Sequence, residues 1–202
     1  MTKCVVIGSN AFSGQDFVDY LLSETDWQVI GTSRSAEKPD FFLRYKQNKA
    51  RSRFAFHRLD LNGDSTALLD LLDREKPEYI VNFAAQSEVA PSWEHPDHWF
   101  ETNTVALAKL VNHLRRKGDY LKRYLHISSP EAYGSCVGRV VETTPDNPST
   151  PYAASKAAAD MITSVYQKQY GFPLVTVRAT NVYGAHQQLF KIIPRSEIGR
   201  AH

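Results

Sequence analysis

The order of apolar runs predicts a doubly wound α/β domain, a parallel sheet with helices on both faces. Short β-rich runs alternate with segments of helical periodicity along nearly the whole chain. A glycine-bearing turn follows the first run and opens a helix. The polar clusters able to do chemistry all fall just after a strand, where such sheets bind ligands.

Lys3–Gly8 is an apolar β-rich run ending in glycine. Gly14 to Leu22 has helical spacing, with Phe17, Val18, Leu21 and Leu22 on one face. Trp27–Thr32 reads as a second strand, and Lys38 to Arg51 as a polar, irregular surface loop. Phe54–Leu61 is a third strand, followed by a helix bearing Leu68, Leu69 and Leu72 that Pro77 closes. Glu78–Ala85 is a fourth strand, and a long helix runs from near Asp97 to Lys117, stopped by Gly118. Leu121–Ser128 is a fifth strand. Gly134 to Thr150 is a loop, Pro151 opens a helix that ends before Gly171, and Leu174–Ala179 is a sixth strand. Strands alternating with helices require crossover connections, so the sheet is expected to be parallel.

A chain of 202 residues suits one well-buried domain with a small appendage. A net charge of +2 gives no electrostatic footprint for nucleic acid or an acidic membrane surface. The basic stretch of Arg44, Lys46, Lys49, Arg51 and Arg53 reads as solvated loop charge. Cys4 and Cys136 are too few for a disulfide framework, which points to a reduced, cytoplasmic setting. The first strand begins at once, without a signal-like segment, and no apolar stretch is long enough to span a bilayer. His95 and His98 lack the cysteine or acid pattern of a metal site. His126 reads as a satisfied core histidine, and Trp93, Trp99 and Phe100 as packing.

After the first strand comes Gly8-Ser9-Asn10-Ala11-Phe12-Ser13-Gly14. A dinucleotide needs small residues where backbone approaches pyrophosphate, then a helix N-terminus whose amides favour anions. Gly8, Ala11 and Gly14 occupy the small positions, although a purely structural turn could carry the same glycines. At the end of the second strand stands Thr32-Ser33-Arg34-Ser35, without an acid to hold a ribose 2′-hydroxyl. Arg34 there suits a 2′-phosphate, which leans the cofactor from NAD toward NADP; the alternative is an exposed loop arginine. Asp60 could receive an adenine amino group or serve as a turn residue.

Tyr152 and Lys156 lie one helical turn apart, on a helix with Thr150 as N-cap and Pro151 at its first position. A phenol with an ordinary pKa of about 10 is a poor base at neutral pH. A nearby ammonium and a cationic nicotinamide would favour phenolate, which could take a proton from a substrate hydroxyl. The spacing alone is cheap, since Tyr45 and Lys49 repeat it in the polar loop. Context separates the two copies. Ser128-Ser129-Pro130-Glu131-Ala132-Tyr133-Gly134 directly follows the fifth strand. Ser129 can orient a reacting hydroxyl, and Glu131 places a carboxylate at the same strand end; a polar loop with one acid is the bland alternative.

These pieces, with Asp60-Leu61, Asn82 to Ser87, Glu101-Thr-Asn103 and Arg178-Ala-Thr-Asn181-Val-Tyr183-Gly184, cover nearly the whole chain. Their order resembles the extended short-chain dehydrogenase/reductases, in the branch of nucleotide-sugar epimerases and 4,6-dehydratases, with a Rossmann-like fold. The resemblance implies Ser129, Glu131, Tyr152 and Lys156 as catalytic residues. It implies a dinucleotide held by Gly8, Asn10, Ala11, Phe12, Gly14, Ser33, Arg34, Asp60, Leu61, Ala84, Ala85 and Asn103, with Tyr152 and Lys156. It implies a nucleotide-sugar substrate met by Gln86, Ser87, Ser129, Asn181 and Lys191. A homodimer is implied too, built from the helix after Asn103 and the Tyr152 helix.

Glu131 favours a 4,6-dehydratase over a C4 epimerase, because dehydratases of this kind use that glutamate on the C5 proton once C4 is oxidised. Pro130 departs from the version with an acid there, and Ala11 from the usual middle glycine. Relatives continue beyond Lys191–Pro194 into a smaller substrate domain, so residues 1–184 are expected to form the NAD(P)-binding domain and 185–202 the start of a largely missing one. A non-catalytic NADP-binding module is the reading from another class. Retention of Ser129, Tyr152 and Lys156 argues against it, since binding needs no activated phenol.

Overall fold

The computed structural model describes residues 1–189 and 191–200. Its strands are β1 (Lys3–Ile7), β2 (Gln28–Ser33), β3 (Phe54–Arg58), β4 (Tyr79–Asn82), β5 (Arg123–Ile127) and β6 (Leu174–Val177). They form one sheet in the order β3-β2-β1-β4-β5-β6, and each neighbouring pair is parallel. Parallel neighbours cannot be joined by hairpins, so helices make the returns. These are α1 (Phe12–Glu24), α2 (Ser65–Glu75), the short α3 (Pro91–Glu94) and α4 (Pro96–Phe100), α5 (Leu107–Lys117) and α6 (Pro151–Tyr170), with α7 (Ile192–Arg200) after the last strand.

Alternate residues of the central strands sort to opposite faces of the sheet. Val5, Ile7, Ile30, Ile80 and Tyr124 join Leu68 and Leu72 of α2 and Leu107, Leu110 and Leu114 of α5. Cys4, Val6, Val29 and Val81 turn the other way, onto Val18, Leu21 and Leu22 of α1. Each such side chain contributes roughly 1.5–3 kcal/mol by leaving water. A double-faced core of this kind is why the strands read as continuous apolar runs.

Three strands stop short of the apolar runs that predict them, at Arg58, Asn82 and Val177. At the first two the physical reason is local turn chemistry. Asp60 Oδ1 accepts from the backbone N–H groups of Asn62 (2.6 Å) and Gly63 (3.1 Å), and Asn82 Oδ1 accepts from Ala84 N–H at 3.0 Å.

The segment Lys38–Arg51 is not a plain surface loop. It contains short 3-10 turns, and Leu43 and Tyr45 are fully buried against the α1 side of the core. The Tyr45 hydroxyl donates to Glu37 at 2.8 Å. Two of its basic residues are paired: Lys46 with Glu37 and Asp40 (both 3.2 Å), Arg44 with Asp19 at 3.0 Å. The long helix expected from Asp97 to Lys117 is continuous over α4 and α5, with a π-helical turn over Glu101–Ala106 between them. π-Helical turns are rare and concentrate at functional sites.

Candidate active site

The glycine turn brings β1 to α1. Gly8 has φ +85°, and a Cβ there would stand 2.6 Å from Ala84 N. A Cβ on Gly14 would stand 2.3 Å from Gly8 O, so both glycines are required by close backbone approach. Asn10 ties the turn to the end of β2: its N–H donates to Ser33 Oγ (2.9 Å), and its side-chain amide to Ala36 O (2.8 Å) and Ser35 Oγ (3.1 Å). Ala11 caps α1 with no side-chain acceptor, which leaves the first amides of the helix for an external anion.

A cleft of about 280 Å³ opens at the carboxyl ends of β1–β4. Gly8, Asn10, Ala11, Ser33, Arg34, Asp60, Leu61, Ala84, Ala85 and Gln86 line it. The buried Asn10 Oδ1 and Thr32 Oγ1, both on lining residues, have no hydrogen-bond partner among the described residues. A dinucleotide fits this chemistry: orphan polar atoms, uncapped helix amides and a turn without side-chain bulk. Phe12 sits beside Gly184 instead of lining the cleft, and Gly14 lies behind the turn. Asp60 serves in the turn described above through Oδ1. Thr32 was not singled out from sequence, because a threonine inside an apolar strand carries no distinguishing signal.

The second half of the site is built on β5 and α6. Thr150 Oγ1 accepts from Ala153 N–H at 3.0 Å, Pro151 takes the first position, and Gly171 ends α6 at φ +64°. That start brings Tyr152 to the carboxyl end of β5. Ser129, buried, caps the 3-10 turn Pro130–Tyr133 by accepting from Glu131 N–H at 3.2 Å. Burial is the largest influence on Tyr152 and raises its pKa; a hydrogen bond with Ser129 lowers it, and the carboxylates of Glu131 and Glu88 raise it.

Lys156 is buried too, and donates to Ile127 O at 2.7 Å. Burial lowers its pKa to about 8, while Asp160 pulls the other way. Lys156 is held against the end of β5, and burial leaves Tyr152 above the usual phenol value.

Asn103 stands on the π-helical turn, buried. Its amide bonds both backbone groups of Gln86 (2.9 and 3.0 Å) and donates to Ser155 Oγ at 2.9 Å, so it fixes the chain after β4 against α6. Ser87 and Asn181 are exposed past the ends of β4 and β6. Lys191 pairs with Glu88 at 2.9 Å.

His126 is buried but not satisfied as expected from sequence. Among the described residues Nδ1 has no partner, and Nε2 lies 3.2 Å from Asp160 Oδ1 without a hydrogen bond. Burial lowers the His126 pKa and holds the ring neutral. Of the three aromatics assigned to packing, only Trp99 is buried; Trp93 and Phe100 are exposed. A wider hollow of about 950 Å³, between the Gly134–Thr150 loop, α6 and the β6 edge, flanks this half of the site.

A dTDP-glucose 4,6-dehydratase of Xanthomonas campestris is 37% identical over 144 residues, 65% of this chain and 40% of that protein. The crystal structure of dTDP-glucose 4,6-dehydratase from Bacillus anthracis in complex with NAD superposes with TM-score 0.85 at 27% identity, covering 100% of this chain and 62% of that one. UDP-glucuronic acid 4-epimerase from Bacillus cereus, in complex with UDP-glucuronic acid and NAD, gives 0.82 at 26%, covering 96% and 61%. The chain thus spans less than two thirds of the length of each. The profile of the family described as GDP-mannose 4,6 dehydratase matches residues 5–198, and this chain belongs to that family.

Proposed function

We propose that the protein acts as a nucleotide-sugar 4,6-dehydratase using a nicotinamide dinucleotide. The observation that carries this reading is that Ser129 caps the turn bearing Glu131 at the end of β5, beside the start of α6 that bears Tyr152. A bound nicotinamide supplies hydride acceptance and return. Tyr152 takes the proton from the C4 hydroxyl, and Ser129 orients that hydroxyl. Lys156, whose ammonium is anchored on Ile127 O, supplies positive charge beneath the site. Glu131 removes the C5 proton once C4 is a ketone, and water leaves from C6. Pro130 has no proton to give, so Glu131 itself or a water delivers the proton to the leaving hydroxyl.

Gly8, Asn10, Ala11 and the α1 amides would hold the pyrophosphate. Ser33 and Arg34, without a carboxylate at the end of β2, favour NADP over NAD. Gln86, Ser87, Asn181 and Lys191 would meet the nucleotide sugar. Homodimerisation through α5 and α6 and a cytoplasmic setting complete the reading.

The likeness to the Bacillus cereus protein favours one alternative, C4 epimerisation. Incubation with a panel of nucleotide sugars, followed by mass spectrometry, separates the two. Loss of water supports the dehydratase, and an isobaric product the epimerase. No change in any substrate supports a binding module. Glu131→Gln is expected to abolish elimination while leaving nicotinamide reduction partly intact. Normal release of a 4-keto-6-deoxy sugar by that variant would remove Glu131 from the role.

A further inference from the structure

The carboxylate of Asp160 lies one turn beyond Lys156 on α6 and is 7% exposed. Ser128 Oγ donates to it at 2.7 Å, Arg178 donates through Nε at 2.8 Å, and a terminal guanidinium nitrogen of Arg178 forms an ion pair with it at 2.7 Å. Arg178 also pairs with Asp146 at 2.8 Å and lies 4.2 Å over the Tyr133 ring. Neutral His126 approaches from β5. Each partner belongs to a segment that carries a site residue. Ser128 precedes Ser129, Tyr133 closes the turn of Glu131, Arg178 opens the segment of Asn181, and α6 bears Tyr152 and Lys156.

We propose that Asp160 is a positioning residue, a common anchor that fixes Ser128, Arg178 and α6 so that Ser129, Glu131, Tyr152 and Lys156 share one alignment. The proposal rests on the reading of those four as the reacting groups. Ion-pairing as mere reinforcement of the core is a poor account of the arrangement. A buried carboxylate loses hydration that pairing only partly returns, and well-packed apolar side chains would serve the core as well. Asp160 also opposes the effect of burial on Lys156, keeping that amine nearer its protonated form.

The test uses the chain with lysines labelled at Cε and the Lys156 resonance assigned by loss in Lys156→Met. Asp160→Asn is expected to lower the Lys156 midpoint further, by about one unit, and to speed hydrogen exchange at the Glu131 amide several-fold. Asp160→Glu is expected to restore the midpoint. A folded Asp160→Asn protein with an unmoved midpoint and unchanged exchange overturns the proposal. Should Asp160→Asn not fold, Ser128→Ala carries the test, since it cuts one link to the carboxylate. Faster exchange at Glu131 supports the anchor, and unchanged exchange overturns it. Absence of turnover in the unmodified protein would sink the catalytic reading without altering these measurements.

Discussion

Replacing Lys156 by methionine should stabilise the fold while removing a reacting group. Burial lowers Lys156 from the ordinary 10.5 to about 8. At roughly 1.4 kcal/mol per unit, the folded state disfavours the charged amine by about 3 kcal/mol. Methionine fills a similar volume without that cost, but it forfeits the bond to Ile127 O, which for a charged donor is worth about 2 kcal/mol. The expected gain at pH 7 is therefore about 1 kcal/mol, a rise of about 0.5 M in the urea midpoint for a slope near 2 kcal/mol/M. The pH dependence fixes the cause. Between about 8 and 10.5 the unfolded chain holds a proton on this amine that the folded chain has released, so the unmodified protein gains stability as pH rises through that window. The variant lacks this gain, and its advantage should shrink from pH 8 to pH 10.5. Urea unfolding at several pH values checks both points. A variant less stable at pH 7, or an advantage that does not change with pH, refutes the reasoning.

Gly8→Ala should destabilise by about 2 kcal/mol, because a side chain at positive φ is strained and its Cβ meets Ala84 N; thermal unfolding and a dinucleotide titration should register both the lower midpoint and lost binding. Tyr45→Phe removes the bond to Glu37 and should cost about 1 kcal/mol in urea unfolding, with dinucleotide affinity unchanged. A loss of turnover in that variant would instead mark Tyr45 and Lys49 as a second reacting pair. Arg34→Ala should weaken NADP binding by roughly tenfold or more, the worth of a charge-assisted contact, and leave NAD binding alone; equal losses in calorimetry would remove Arg34 from phosphate recognition.

The two halves of the site differed in how legible they were. α6 was readable because its signals are local: Thr150, Pro151 and Gly171 act through backbone bonds a few residues away. The glycine turn was readable for the same reason. Tyr45 was not, because a tyrosine among charged residues looks solvated until α1 is packed over it. The π-helical turn is not legible in the sequence, since Asn103 bonds there to Gln86 and Ser155, far off in the chain. Asp160 did leave a trace, the same four-residue step that links Tyr152 to Lys156. Its meaning needs Ser128 and Arg178, which only the closed sheet brings to it.

The strand order also sets a timetable for assembly. Val6 is in register with Gly31 on one side and with Val81 on the other. The floor of the dinucleotide cleft is therefore incomplete until the chain has been made past Asn82 and β4 has docked. Pairings between segments so distant in sequence form slowly, because a long loop must close before any contact rewards it. During synthesis, β1 and β2 wait with one edge of β1 bare, an invitation to mispairing. A dinucleotide can take hold only after β4 arrives, and from then on it would favour the paired state over its precursors.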